Sequence, residues 1–172
     1  MDKHEKRVIF ASIGLMAFFF LAVILAVSGL GITVPDCITD REPFTEPEVI
    51  QLDETHYEVH SIARMWTFDP PVIEIPAGAT LDIFLTSADV VHGFQIESRA
   101  VNMMAVPGQV TKMSAKFDKV GKYSIVCHEY CGVNHHSMEG VIHVRPVEDM
   151  PAREVSKAGS PASNATEGGA KL

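Results

Sequence analysis

The N-terminal part of the chain contains one long apolar run. Residues 8–34 include no charged side chain, and their 27 positions exceed the roughly 20 that a helix needs to cross a bilayer. A helix is favoured because it satisfies its backbone hydrogen bonds internally in lipid. A cleaved secretory signal is the alternative, but its apolar region usually spans only about 7–15 residues. We therefore predict one retained transmembrane helix over residues 8–34 that anchors the protein in membrane lipid.

Short segments of alternating apolar and polar residues follow this run. They cover residues 56–60, 72–75, 81–85, 93–96, 110–117, 122–126 and 140–144, and turn signals separate them, for example at 76–78 and 107–108. Many short strands at this spacing predict an all-β sandwich or barrel over residues 55–145. Residues 35–54, rich in proline and acidic side chains, are predicted to be a linker. Residues 146–172 are predicted to be a disordered C-terminal tail.

The charges on the two sides of the apolar run differ. Lys3, Lys6 and Arg7 precede it, whereas Asp36 and Asp40 follow it. The positive-inside rule then places residues 1–7 in the cytoplasm and exports the rest. We predict a single-pass protein of the cell (inner or plasma) membrane whose folded domain lies on the periplasmic or extracellular side.

The overall charge restricts the kinds of partner. The chain has 14 basic and 22 acidic residues and a net charge of −8. Three basic and two acidic residues lie in the first seven positions, so the remainder carries −9. Nucleic acid is excluded as a partner because phosphate binding needs clustered cations, and an acidic domain favours encounter with a cationic protein. Three cysteines are too few for a small disulfide-stabilised fold.

Metal-binding side chains are concentrated in residues 127–138, directly after a predicted strand. Thiols at Cys127 and Cys131, the imidazole of His135 and the thioether of Met138 are soft ligands that favour copper. A disulfide would leave the last two unexplained, and methionine is a poor zinc ligand. A mononuclear copper electron-transfer site uses one cysteine, so the second thiol favours two copper ions bridged by both sulfurs. A second histidine must come from elsewhere, and His92 is the best candidate.

These motifs resemble those of subunit II of the haem-copper cytochrome c oxidases. They read DVVHGF over residues 89–94 and CHEYCGVNHHSM over residues 127–138. The single predicted helix makes the chain most similar to the short B-type branch. The resemblance implies a cupredoxin-like Greek-key β-barrel or sandwich that carries a dinuclear copper A centre.

The resemblance also implies a role for each ligand. The metal site that it implies consists of His92, Cys127, Glu129, Cys131, His135 and Met138. The two thiolates would bridge the coppers, each imidazole would bind one ion, and the thioether and the Glu129 backbone carbonyl would be weak ligands. The Glu129 carboxylate would be a candidate for a magnesium ion at the interface with subunit I. His136 does not match the family spacing, and His128 is expected to face solvent or a subunit interface.

The implied function is that of an electron-accepting oxidase subunit. Electrons from a c-type cytochrome or a small copper protein would pass through copper A to haem in subunit I, which would hold the haems, reduce oxygen to water and pump protons. Trp66 matches an aromatic position of the family's electron-transfer segment, and strand alternation would place it on the same face as Arg64. The alternatives are a free-standing membrane-tethered copper carrier and a thioredoxin-like copper-delivery protein.

Overall fold

The computed structural model describes residues 2–30 and 34–150. Within these residues one helix precedes eleven strands, and short 3-10 turns cover His135–Ser137 and Val147–Asp149. The elements are α1 Lys3–Leu30, β1 Asp36–Ile38, β2 Glu48–Gln51, β3 His56–Arg64, β4 Thr67–Asp69, β5 Val72–Pro76, β6 Ala79–Ser87, β7 His92–Ile96, β8 Val101–Ala105, β9 Val110–Phe117, β10 Gly121–Val126 and β11 Glu139–Arg145.

Helix α1 begins five residues before the predicted start. The carboxylate of Asp2 accepts hydrogen bonds from the backbone N–H groups of His4 (2.6 Å) and Glu5 (2.8 Å), so it caps the helix N-terminus. The apolar side chains of α1 are exposed around its axis, and an 18-residue window of the helix has a mean hydropathy of 2.8. By length and composition, the helix can cross a membrane. The predicted end at residue 34 cannot be compared directly, because residues 31–33 lie outside the described part.

The strands form two sheets. The first has the order β1-β9-β6-β3-β2, with β4 paired to β3, and the second has the order β5-β11-β10-β7-β8. Strands β3 and β6 are parallel, as are β5 and β11, whereas the other pairs are antiparallel. This architecture confirms the predicted all-β, cupredoxin-like fold with one N-terminal helix.

The core lies between the sheets and consists of inward-facing apolar side chains. Phe68 on β4 and Phe94 on β7 are fully buried and meet edge to face, with ring centroids 5.2 Å apart. Ile83 and Leu85 from the first sheet and Ile125 from the second belong to the same buried cluster. This packing fixes the ends of β7 and β10, from which the metal-binding residues extend.

The region predicted as a linker, residues 35–54, contributes β1 and β2. Strand β1 pairs with β9 and β2 pairs with β3, both at the edges of the first sheet. Their side chains are exposed or half-buried, so alternation is weak there and the sequence gives little strand signal. Most of the predicted tail, residues 151–172, lies outside the described residues.

Candidate metal centre

The ends of two neighbouring strands bring the predicted ligands together. Strand β7 begins at His92, and β10 ends at Val126, directly before Cys127. The loop of residues 127–138 then folds back on itself, and the Cys127 N–H donates to the carbonyl of Met138 at 3.2 Å. The two ends of the loop therefore lie side by side.

Two thiols form the middle of the site. Cys127 Sγ and Cys131 Sγ are 3.7 Å apart, much farther than the roughly 2.05 Å of a disulfide. The ligand atoms of His92, Cys127 and Cys131 all lie within 4.8 Å of one another. A metal ion with metal–thiolate bonds of about 2.3 Å can reach both sulfurs at this separation.

Further donors surround each sulfur. Cys131 Sγ is 3.6 Å from His135 Nδ1 and 3.7 Å from Met138 Sδ, and Met138 is buried. Cys127 Sγ is 3.2 Å from the backbone carbonyl of Glu129, whose side chain is exposed. The structure thus brings all six residues of the predicted site together, with four of them around the pair of thiols.

His92 has one ring nitrogen without a partner. The residue is fully buried, and its Nε2–H donates to Asp89 Oδ1 at 2.7 Å, whereas Nδ1 has no hydrogen bond. An unpaired buried polar atom is costly in free energy, so this nitrogen is suited to bind a metal. Carboxylates that orient metal-binding histidines in this way are common.

Asp89 connects this histidine to the neighbouring turn, a role that the sequence analysis did not assign. Its carboxylate also accepts hydrogen bonds from the backbone N–H groups of Met65 (2.7 Å) and Val90 (2.6 Å). Burial raises the pKa of Asp89, but the hydrogen bonds from His92 and the two amides outweigh it, so the pKa lies below its usual value. The sequence feature that could have indicated this role is the position of Asp89, three residues before His92, which begins a strand.

Burial also affects the second thiol. Desolvation, followed by the hydrogen bond and charge of Cys127, raises the pKa of Cys131 to about 11. Without metal, the Cys131 thiol is therefore neutral at pH 7. A metal ion that binds here has to displace its proton.

Trp66 packs over the metal-binding loop. It lies in the two-residue turn between β3 and β4, and its Nε1–H donates to the carbonyl of Cys131 at 3.3 Å. Gly132 has a φ of +116°, and a Cβ there would lie 3.3 Å from Trp66 Nε1. Strand alternation does not relate Trp66 to Arg64, as the sequence analysis assumed, because β3 ends at Arg64.

The two histidines that were set aside occupy different environments. His136 is exposed. His128 is half-buried, and its ring rests against the backbone of Gly93, next to His92. This contact joins residues 35 positions apart, and no local sequence pattern predicted it.

Comparisons with known proteins agree with this geometry. Residues 47–145 match the family described as cytochrome c oxidase subunit II, periplasmic domain. The chain is 34% identical over 113 residues to cytochrome c oxidase subunit 2 of Thermus thermophilus, an alignment that covers 64% of this chain and 84% of the relative. It is 35% identical over 86 residues to the Branchiostoma floridae subunit 2, covering 50% of this chain and 37% of the relative. A chain from the cryo-EM structure of a haem-copper terminal oxidase dimer is 46% identical to this chain and superposes with a TM-score of 0.74. The superposition covers 83% of this chain and 100% of that chain.

Proposed function

The chain belongs to the cytochrome c oxidase subunit II family, and on this premise we propose that it accepts electrons at a dinuclear copper A centre and passes them to haem in subunit I. As a member of this family it is a membrane-anchored subunit of a haem-copper terminal oxidase, has a periplasmic domain and associates with other subunits. The family match favours this role over a free-standing copper carrier or a copper-delivery protein.

The observation that carries the proposal is the arrangement of donors around the two thiols. A ring nitrogen of buried His92 lies within 4.8 Å of two unbridged sulfurs that are 3.7 Å apart, and the Nδ1 of this ring has no hydrogen bond. His135 and Met138 approach the Cys131 sulfur, whereas the Glu129 carbonyl approaches the Cys127 sulfur. Six donors exceed the four of a tetrahedral site, and this distribution supports two copper ions.

The protein's own contribution is to keep these donors in place. When bound, the copper ions supply one-electron redox chemistry shared through the two thiolates. Cys131, Met138 and His92 are buried, so water is kept from these three donors. Asp89 fixes the ring of His92 through Nε2 and leaves Nδ1 free. Donors held by a rigid β-scaffold change position little, which favours fast electron transfer.

Trp66 is proposed as the contact through which electrons reach the site. Its half-buried ring hydrogen-bonds to the Cys131 carbonyl, so it connects the surface with a bridging residue. Exposed apolar side chains are close in sequence to Trp66, His92 and Cys131. We call them the apolar rim: Met65, Val90, Val91, Tyr130 and Val133. Exposed apolar groups of this kind favour protein contacts. We propose that the apolar rim contacts the electron donor, a c-type cytochrome or small copper protein.

The proposed orientation follows from charge. Lys3, Lys6 and Arg7 lie at the start of α1, and the positive-inside rule keeps this end in the cytoplasm. The copper domain would then lie on the periplasmic or extracellular side, where its donor is found. The exposed Glu129 carboxylate would remain available for a magnesium ion at the subunit I interface.

Electron paramagnetic resonance of the copper-loaded full chain tests the proposal. One unpaired electron shared equally by two coppers gives a seven-line hyperfine pattern, with two copper ions per chain. Replacing Cys131 by serine should abolish this pattern, whereas the same change at the exposed Cys37, which is far from the loop in sequence, should preserve it. A four-line pattern from one localised copper would refute the dinuclear centre.

A further inference from the structure

The ring of His128 fills the space where a side chain at position 93 would lie. An ideal Cβ built on Gly93 would be 2.6 Å from Cγ, Nδ1 and Cε1 of His128, whereas real Cβ atoms essentially never approach closer than 3.0 Å. Equal distances to three ring atoms mean that the backbone of Gly93 faces the flat side of the imidazole. The φ of Gly93 is not positive, so glycine is needed here for space and not for backbone conformation.

This contact lies where backbone pairing between β7 and β10 has ended. The last paired residues are Val126 and Gln95, and continuing the register would bring His128 opposite Gly93. In the described residues, β7 and β10 are not paired past Val126, so side-chain packing can set the separation of the two segments there. His92 directly precedes Gly93, and Cys127 directly precedes His128.

We propose that the packing of His128 on Gly93 is a positioning contact that sets the distance between the imidazole of His92 and the thiol of Cys127. The proposal rests on the proposed function, because these two side chains are the metal ligands. His128 is a positioning residue and not a ligand, since its ring faces Gly93 and not the thiols. A larger residue at position 93 would clash with Cγ, the first atom of the His128 ring. Rotation about the Cβ–Cγ bond leaves Cγ in place, so it cannot relieve this clash.

Four variants of the full chain test the contact: G93A, H128A, H128F and the double variant G93A/H128A. In the metal-free chain, the nitrogen chemical shifts of His92 report where its ring lies. We expect G93A and H128A to change these shifts, H128F to preserve them because a flat ring remains, and G93A/H128A to restore most of them because the alanine methyl group at position 93 takes up part of the space of the ring. I75V serves as a control, since it removes a buried methyl group from β5, which pairs with neither β7 nor β10, and Ile75 lies opposite Val144, at the end of the sheet remote from Val126.

Copper affinity, measured by competition with a chelator, provides the second readout. We expect G93A to weaken copper binding by about 10- to 100-fold, as loss of support for metal ligands commonly does. The second substitution in G93A/H128A should recover most of this loss. Unchanged His92 shifts in G93A, or a double variant that resembles G93A, would overturn the proposal. If the unmodified chain binds no copper, the proposed function fails, whereas the His92 shifts still decide the positioning contact.

Discussion

Replacing Asp89 by asparagine removes the negative charge of the side chain but keeps its shape nearly unchanged. The carboxylate accepts hydrogen bonds from His92 Nε2 at 2.7 Å, from the Met65 N–H at 2.7 Å and from the Val90 N–H at 2.6 Å. Asparagine has nearly the same size but only one acceptor oxygen. If that oxygen keeps the bonds to His92 and Val90, which share Oδ1, the new NH₂ group opposes the N–H of Met65.

The charge change should appear as a shift in the copper reduction potential. A hydrogen bond to a charged group contributes about 1 kcal/mol more than one to a neutral group. The carboxylate favours the more positive, oxidised site through His92, so D89N should raise the potential. For a one-electron couple, about 1 kcal/mol corresponds to about 40 mV. Copper affinity should also fall by about 10- to 100-fold, because His92 is oriented less firmly.

Redox titration of the copper-loaded chain measures this shift, and D69N is the matched control. Asp69 carries the same charge but pairs with Arg64 at 3.3 Å, and both side chains are about one-third or more exposed. Solvent and salt screen that charge, so D69N should move the potential much less. Equal shifts in the two variants would show that only net charge matters. No shift in D89N would refute the role of the carboxylate at His92.

Three further predictions concern the ligands and the electron path. M138L should retain both coppers but shift the unpaired electron toward one of them and raise the copper reduction potential, because a weak ligand is lost while thiolates and imidazoles remain. Electron paramagnetic resonance measures this shift, and loss of copper from the variant would contradict the prediction. W66A should slow reduction by a c-type cytochrome in stopped-flow experiments without altering the copper spectrum, and W66F should be intermediate; an unchanged rate would exclude Trp66 from the path. In the metal-free chain, alkylation of Cys131 should keep accelerating as pH rises to about 11, because its pKa is raised to about 11 by burial and by Cys127. A rate that levels off near pH 8.5, where an unperturbed thiol titrates, would disagree.

The proximity of the proposed donors could be predicted from sequence because most of them lie in one loop. Residue type and spacing within residues 127–138 predict the copper preference, and only His92 had to be found elsewhere. The roles of Asp89 and His128 could not be derived in this way. Both depend on which residues of β7 and β10 lie opposite one another, and such register between distant segments is not encoded in local pattern.

The fold shows the same division between local and distant information. The seven predicted strand segments are all present because their inward-facing residues alternate with polar ones. Strands β1, β2, β4 and β8 were missed. Strands β1, β2 and β8 lie at sheet edges, the side chains of β1 and β2 are exposed or half-buried, and β4 has only three residues. The early start of α1 depends on the Asp2 cap, which a search for apolar residues does not detect.

The position of β11 has a consequence for how the centre is made. This strand lies between β5 and β10 and pairs with both, so it completes the second sheet. All the proposed donors have been synthesised once the ribosome reaches residue 138, but the sheet that supports them needs residues 139–145 as well. Under the proposed function, a stable copper centre would therefore form only after residues 139–145 have joined the sheet. An accessory protein that delivers copper would have to recognise a folded domain and not a nascent loop.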